Sequence, residues 1–268
     1  MRGPYRPGTP CWVDLMVGDQ QAALDFYGGL FGWQAEVGPP EQAGYSVCRL
    51  AGQPVAGIMG AINADGTPMD PVPPAAWTTY FATEDAAAAV AAGGAAGGQT
   101  VVETMDVMDL GKMAVLADPT GAVFGVWEPG TFPGAGVVNE DNAVIWNELA
   151  TTDTKAAAAY YEAVVPVTGR PSEIPGVTGY TELVVNGRAV AGVMGLDQHP
   201  TGTPPHWMTY FHVDDVDRVQ AAAKQAGGRV LAPAFEMPVG RMAVLADPQG
   251  AVFAVIRSVE DPQEPDPA

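Results

Sequence analysis

Apolar positions along the chain follow two periods. A period of two governs Trp12-Val-Asp-Leu-Met-Val17, Trp77-Thr-Thr-Tyr-Phe81, Ile145-Trp-Asn-Glu-Leu149 and Trp207-Met-Thr-Tyr-Phe211, which predicts strands with one face buried. Helical spacing of Ala23, Phe26, Tyr27 and Leu30 predicts a helix from Gln20 to Phe31, with Asp19 as N-cap. Asp153 plays the same part before a helix carrying Tyr160 and Tyr161. Two more helices are expected over 84–92 and 214–226, the first weakened at its end by Gly93-Gly94. Residues 45–50 with 54–59, and 180–185 with 189–194, read as hairpins, and 101–105 as a short strand.

These patterns recur. Met113-Ala-Val-Leu-Ala-Asp-Pro-Thr-Gly-Ala-Val-Phe124 returns as Met242 to Phe253, with Gln249 in place of Thr120. Each copy reads as strand, Asp-Pro-x-Gly turn, strand. Pro119 and Pro248 preset φ at the second turn position, and Gly121 and Gly250 accept the positive φ that closes the turn. Val55-Ala-Gly-Ile-Met-Gly60 likewise returns as Val190-Ala-Gly-Val-Met-Gly195. The repeat predicts modules over 9–130 and 143–258, a Pro- and Gly-rich linker over 131–142, and irregular termini over 1–8 and 259–268, the latter acidic and disordered. Residues 61–76 and 196–206 lack periodicity and read as binding loops, lids or mobile connections.

Charge narrows the partners. With 31 acidic against 12 basic side chains the formal charge is −19, and no cluster of Lys and Arg offers a nucleic-acid surface. Cys11 and Cys48 are too few for a disulfide framework and are not spaced as a zinc pair, so reduced structural thiols and a cytoplasmic location are expected. No run approaches the roughly 18 apolar residues of a membrane span, and no membrane partner is expected.

On the paired motifs, residues 9–258 resemble the vicinal oxygen chelate superfamily of glyoxalases, extradiol dioxygenases and bleomycin or fosfomycin resistance proteins. The Trp-x-Asp/Glu-Leu first strands are similar to those of two-domain actinomycete glyoxalase-like proteins, which include a mycobacterial secreted-antigen group and proteins of aromatic polyketide clusters. The resemblance implies an α+β fold: tandem βαβββ modules forming a curved, mixed eight-stranded sheet flanked by helices around concave sites. In metal enzymes of the family it implies a His or Gln heading the first strand, a His on a middle strand, and a Glu four residues after the turn glycine. Here those places hold Trp12 and Trp146, Thr78 and Met208, and Gly125 and Ala254, none a good ligand for a divalent ion. A slip of one residue brings Val13, Asn147, Phe124, Val126, Phe253 or Val255, which is no better. No metal or other cofactor is expected.

Strand alternation places Asp14 with Trp12, and Glu148 with Trp146. Two matched carboxyls could act as acid and base or orient a ligand hydroxyl or amine; the structural alternative is bonding a backbone N–H or a tyrosine across the sheet. Trp12, Trp146, Tyr80, Tyr210, Thr78, Met208 and Trp127 are the candidate ligand walls, although the same spacing serves a core. His199, His206 and His212 fall only in the second module and lack a ligand-spacing motif, so they read first as loop and strand-end residues. Lys112 and Arg241 precede the two hairpins and suit either an anionic ligand or ion pairs.

The expected function is metal-free binding of a small hydrophobic or aromatic metabolite, in natural-product biosynthesis or resistance. The alternatives are an enzyme of the same superfamily, either a metal-dependent glyoxalase or dioxygenase or a metal-free isomerase, cyclase or hydroxylase accessory using Asp14 or Glu148, and a protein-interaction role. Two modules in one chain supply the pairing that single-module relatives obtain by dimerising, so a monomer is expected, with a dimer as the alternative.

Overall fold

The structure is a computed structural model that describes residues 5–39, 42–63 and 66–259. The expectations for residues 1–4 and for the tail from Glu260 lie outside the described residues. The first module runs β1 (Pro10–Val17), α1 (Gln20–Phe31), β2 (Ser46–Leu50), β3 (Gln53–Gly60), β4 (Ala76–Ala82), α2 (Ala86–Ala95), β5 (Gln99–Val107), β6 (Gly111–Ala117) and β7 (Val123–Pro129). The second runs β8 (Val144–Thr151), α3 (Thr154–Val164), β9 (Thr168–Pro171), β10 (Thr181–Val185), β11 (Arg188–Gly195), β12 (His206–His212), α4 (Val216–Gln225), β13 (Arg229–Met237), β14 (Gly240–Ala246) and β15 (Val252–Ser258).

Local chemistry sets the element ends. The Asp19 carboxylate accepts from the Ala22 N–H at 3.0 Å, and Gly32, at φ 72°, ends α1 in the left-handed region. Asp153 caps α3 in the same way through Ala156. Where a break was expected at Gly93-Gly94, α2 continues to Ala95. A side chain at Gly93 would meet Leu116 and the Tyr160 hydroxyl, so tertiary packing uses this glycine for close approach, overriding its low helix propensity. The strand expected over 101–105 extends across the whole of β5 because it pairs with β6 along its length.

The α+β class and the tandem modules stand, but the strands form two mixed sheets rather than one of eight. Their orders are β2-β3-β1-β4-β7-β6-β5 and β13-β14-β15-β12-β8-β11-β10-β9. Read from opposite ends, these orders match strand for strand, with β9 added at one edge. The modules meet through side chains: Thr79 Oγ1 donates to Asn147 Oδ1 at 2.8 Å, both residues buried.

The two largest cores are shared between the modules. Residues of β1, α1 and β3 pack with Phe211, Val216, Val219, Phe253 and Val255 of the second module. Reciprocally, Phe81, Leu116 and Phe124 pack with Leu149, Tyr160, Tyr161 and Trp207. The Asp-Pro-x-Gly turns join this exchange. Asp118 Oδ1 accepts from the N–H groups of Thr120 and Ala122, while its Oδ2 accepts from Tyr161 OH across the interface at 3.3 Å. Asp247 does the same within its turn and accepts from Tyr27 OH at 3.3 Å. No helix among the described residues is long and apolar enough to cross a membrane.

Candidate functional site: two carboxyl–tyrosine clefts

Strand register brings the candidates together in rows. In the first module Trp12 pairs with Tyr80, and Tyr80 with Gly125; the next row pairs Asp14 with Thr78. In the second, Trp146 pairs with Tyr210 and Tyr210 with Ala254, beside the pair Glu148 and Met208. Tyr80 and Tyr210, rather than Thr78 and Met208, thus stand level with the first- and last-strand positions.

Each carboxyl is held by phenols. Trp146 Nε1 donates to Tyr180 OH at 2.9 Å, Tyr180 OH donates to Glu148 Oε2 at 2.7 Å, and Tyr210 OH donates to Glu148 Oε1 at 2.7 Å. In the first module Trp12 Nε1 donates to Tyr45 OH at 2.7 Å, and Tyr45 OH donates to Asp14 Oδ2 at 3.3 Å. The Tyr80 hydroxyl completes that set on Asp14. The shorter Asp side chain leaves its measured phenol contact longer than either one to Glu148.

Burial pushes the Asp14 carboxyl up to about 7, against the opposing pull of the Tyr80 and Tyr45 hydrogen bonds. Burial also raises Glu148, again opposed by Tyr210 and Tyr180. The four phenols are themselves raised well above their ordinary value by burial and the neighbouring carboxyl, so they remain donors. This arrangement can hold a carboxyl near its neutral–charged balance and still leave oxygen lone pairs for a ligand donor.

A resident metal of the kind used by enzymes of this fold does not fit these residues. The Tyr80 ring lies where any side chain at position 125 would project, so the last-strand ligand position is filled by an aromatic ring. Trp12 and Trp146 offer only donors, Ala254 offers nothing, and the carboxyl oxygens accept from phenols. Among the described residues no group of three His, Cys, Asp or Glu is placed to hold a metal. His199 and His206 meet edge to face at 5.6 Å, whereas His212 faces Asp141 at 2.8 Å, so the three histidines form no common set.

The remaining sequence candidates separate. Lys112 pairs with Glu128 at 3.3 Å, and Arg241 pairs with Asp217 and Glu236, each at 2.8 Å. Cys11 and Cys48 are buried free thiols whose pKa values are raised by burial, which disfavours the nucleophilic thiolate. An open groove of about 690 Å³ runs along α1 beside Trp33, with Asp25, Glu36 and Arg49 on its walls. It shares no residue with either carboxyl cluster.

Sequence reasoning missed Tyr45, Tyr180 and Phe132. A signal existed for the tyrosines: each precedes, at the same spacing, a strand glycine, Gly57 or Gly192, whose missing side chain leaves room for the phenol. Phe132 had none, lying in the Pro- and Gly-rich linker. There its ring meets Trp12 edge to face at 5.0 Å, and its carbonyl accepts from Trp127 Nε1 at 2.9 Å.

Comparison with known proteins agrees with this architecture. Residues 11–126 match the model of the Glyoxalase/Bleomycin resistance protein/Dioxygenase superfamily, and residues 146–256 that of a glyoxalase-like domain. The chain belongs to this superfamily. Within it, the chain is 43% identical over 259 residues to "Putative glyoxylase CFP32" of Mycobacterium tuberculosis, covering 96% of this chain and 97% of that protein. It is 38% identical over 266 residues to the anthracycline biosynthesis protein DnrV of Streptomyces peucetius, covering 94% of each. The superfamily fold also appears in the Mn(II)-bound glyoxalase of Novosphingobium aromaticivorans, with TM-score 0.64, 15% identity, and coverage of 98% of this chain and 86% of that one. The 2,3-dioxygenase LapB of Pseudomonas sp. KL28 matches with TM-score 0.63 and 14% identity, covering 100% and 97%.

Proposed function

We propose that this superfamily member binds a small hydrophobic or aromatic metabolite without a metal, using a concave sheet face floored by aromatic side chains. The observation that carries the reading is the Glu148 cluster: a carboxyl fixed by Tyr180 and Tyr210 beside Trp146, with Ala254 in the last-strand ligand position. Such a face offers a flat apolar surface and one carboxyl to accept from a hydroxyl or amine. The net charge of −19 favours neutral or cationic ligands over anions. Similarity to a Streptomyces anthracycline biosynthesis protein supports natural-product chemistry as the setting. The test is calorimetric titration with hydroxylated polycyclic aromatics before and after chelator treatment. Binding indifferent to the chelator is expected; binding or turnover that appears only with added metal overturns the reading.

A second reading, metal-free acid–base catalysis, is favoured by Asp14, whose pKa of about 7 suits proton transfer near neutrality. It predicts a pH–rate profile that Asp14→Asn or Glu148→Gln abolishes; retained turnover in both variants removes it.

A further inference from the structure

The two clefts share their hydrogen-bond wiring but not their covering. After β7 the chain turns back over the first cleft: the N–H groups of Gly130 and Phe132 donate to the Leu110 carbonyl at 2.8 and 3.1 Å. This delivers the Phe132 ring to Trp12 at 5.0 Å and Trp127 at 6.0 Å, both edge to face. The linker is then pinned, with Ala135 N–H donating to the Cys11 carbonyl at 2.8 Å and Tyr5 OH donating to the Ala135 carbonyl at 2.7 Å. Trp12 and Trp127 are each left 8% exposed.

The second module starts the same turn. Val259 N–H donates to the Val239 carbonyl at 3.1 Å, the counterpart of the Gly130 bond, and the Val259 side chain is 69% exposed. Two residues further on, where the first module has Phe132, the sequence has Asp261. Ile256 stands in the place of Trp127. Trp146 and Glu148 remain partly exposed.

We infer that Phe132 is a built-in occupant of the first cleft, and that the second cleft alone takes a free ligand: a neutral or cationic aromatic ring, set edge-on to Trp146, with a hydroxyl or amine donating to Glu148. This rests on the binding reading above and adds which cleft works and how the ring sits. The edge-to-face contact of Phe132 with Trp12 is the internal model for that pose.

The test is titration calorimetry of the full chain with 1-naphthol, and with 1-naphthoate as its anionic counterpart. The parent should show one site with naphthoate the weaker ligand. Trp146→Ala should weaken naphthol by about 30-fold, the loss of one aromatic anchor. Phe132→Ala should open a second site. Phe132→Leu, which keeps the recess filled and guards against misfolding, should retain one. Two sites in the parent, loss through Trp12→Ala and not Trp146→Ala, or a single site in a folded Phe132→Ala protein would overturn the inference while leaving ligand binding intact. No naphthol binding to any folded variant would overturn the binding reading and this inference together.

Discussion

Two carboxyl–tyrosine clusters with one wiring diagram differ, among the described residues, in what lies above them, and the difference separates what both modules share from the copy on which the binding proposal rests. Indole, phenol, carboxyl and second phenol recur in both, so the cluster itself meets a structural need: it satisfies a buried carboxyl and ties the first strand to its neighbours. Among the described residues only the first is roofed, by Phe132 on its pinned linker. The less covered copy, with Trp146 and Glu148 partly exposed, is the one on which the binding proposal rests.

The largest expected effect is the pH dependence set by Asp14. A carboxyl whose folded pKa rises from 3.8 to about 7 binds more protons folded than unfolded in that window, so the parent loses stability as pH rises through it. Asp14→Asn removes this slope. Denaturant titrations from pH 4 to 8 should show the variant gaining on the parent by up to about 4 kcal/mol, the full worth of such a shift. A constant difference across the range would mean that Asp14 titrates near its ordinary value.

Phe132→Ala comes next, at about 3 kcal/mol of lost stability from an emptied aromatic recess. An unchanged urea midpoint would show that the roof carries no packing energy. Tyr210→Phe removes a 2.7 Å phenol bond to Glu148 and should cost about 2 kcal/mol while raising the Glu148 pKa further. Thermal melts together with carboxyl NMR titration check both parts. The smallest effect is at Tyr160, whose buried hydroxyl has no hydrogen-bond partner among the described residues, whereas Phe26 fills the matching place on α1. Tyr160→Phe should be neutral or stabilising by less than about 1 kcal/mol, and a clear loss in urea would show that the hydroxyl is bonded in solution.

Much of this was legible along the chain. Asp19 and Asp153 announce their helices because a cap is a local bond, and Asp14 and Glu148 declare a shared face with their tryptophans because strand alternation is local too. Tyr45 and Tyr180 were read only as the starts of hairpins, since a phenol's reach to another strand depends on the space above Gly57 and Gly192. The turn aspartates were seen as turn residues, and their cross-module bonds to Tyr161 and Tyr27 were not, because those partners are remote in sequence.

The repeated sequence by itself determined two copies of one module and their capped helices and hairpins, because each depends on residue type at short or repeated spacing. Tertiary structure alone decided that the halves exchange cores, that the strands divide into two sheets, and that a linker phenylalanine roofs one cleft. Those outcomes depend on which surfaces meet across long stretches of chain, and a side chain's burial is settled only once its distant neighbour has been placed.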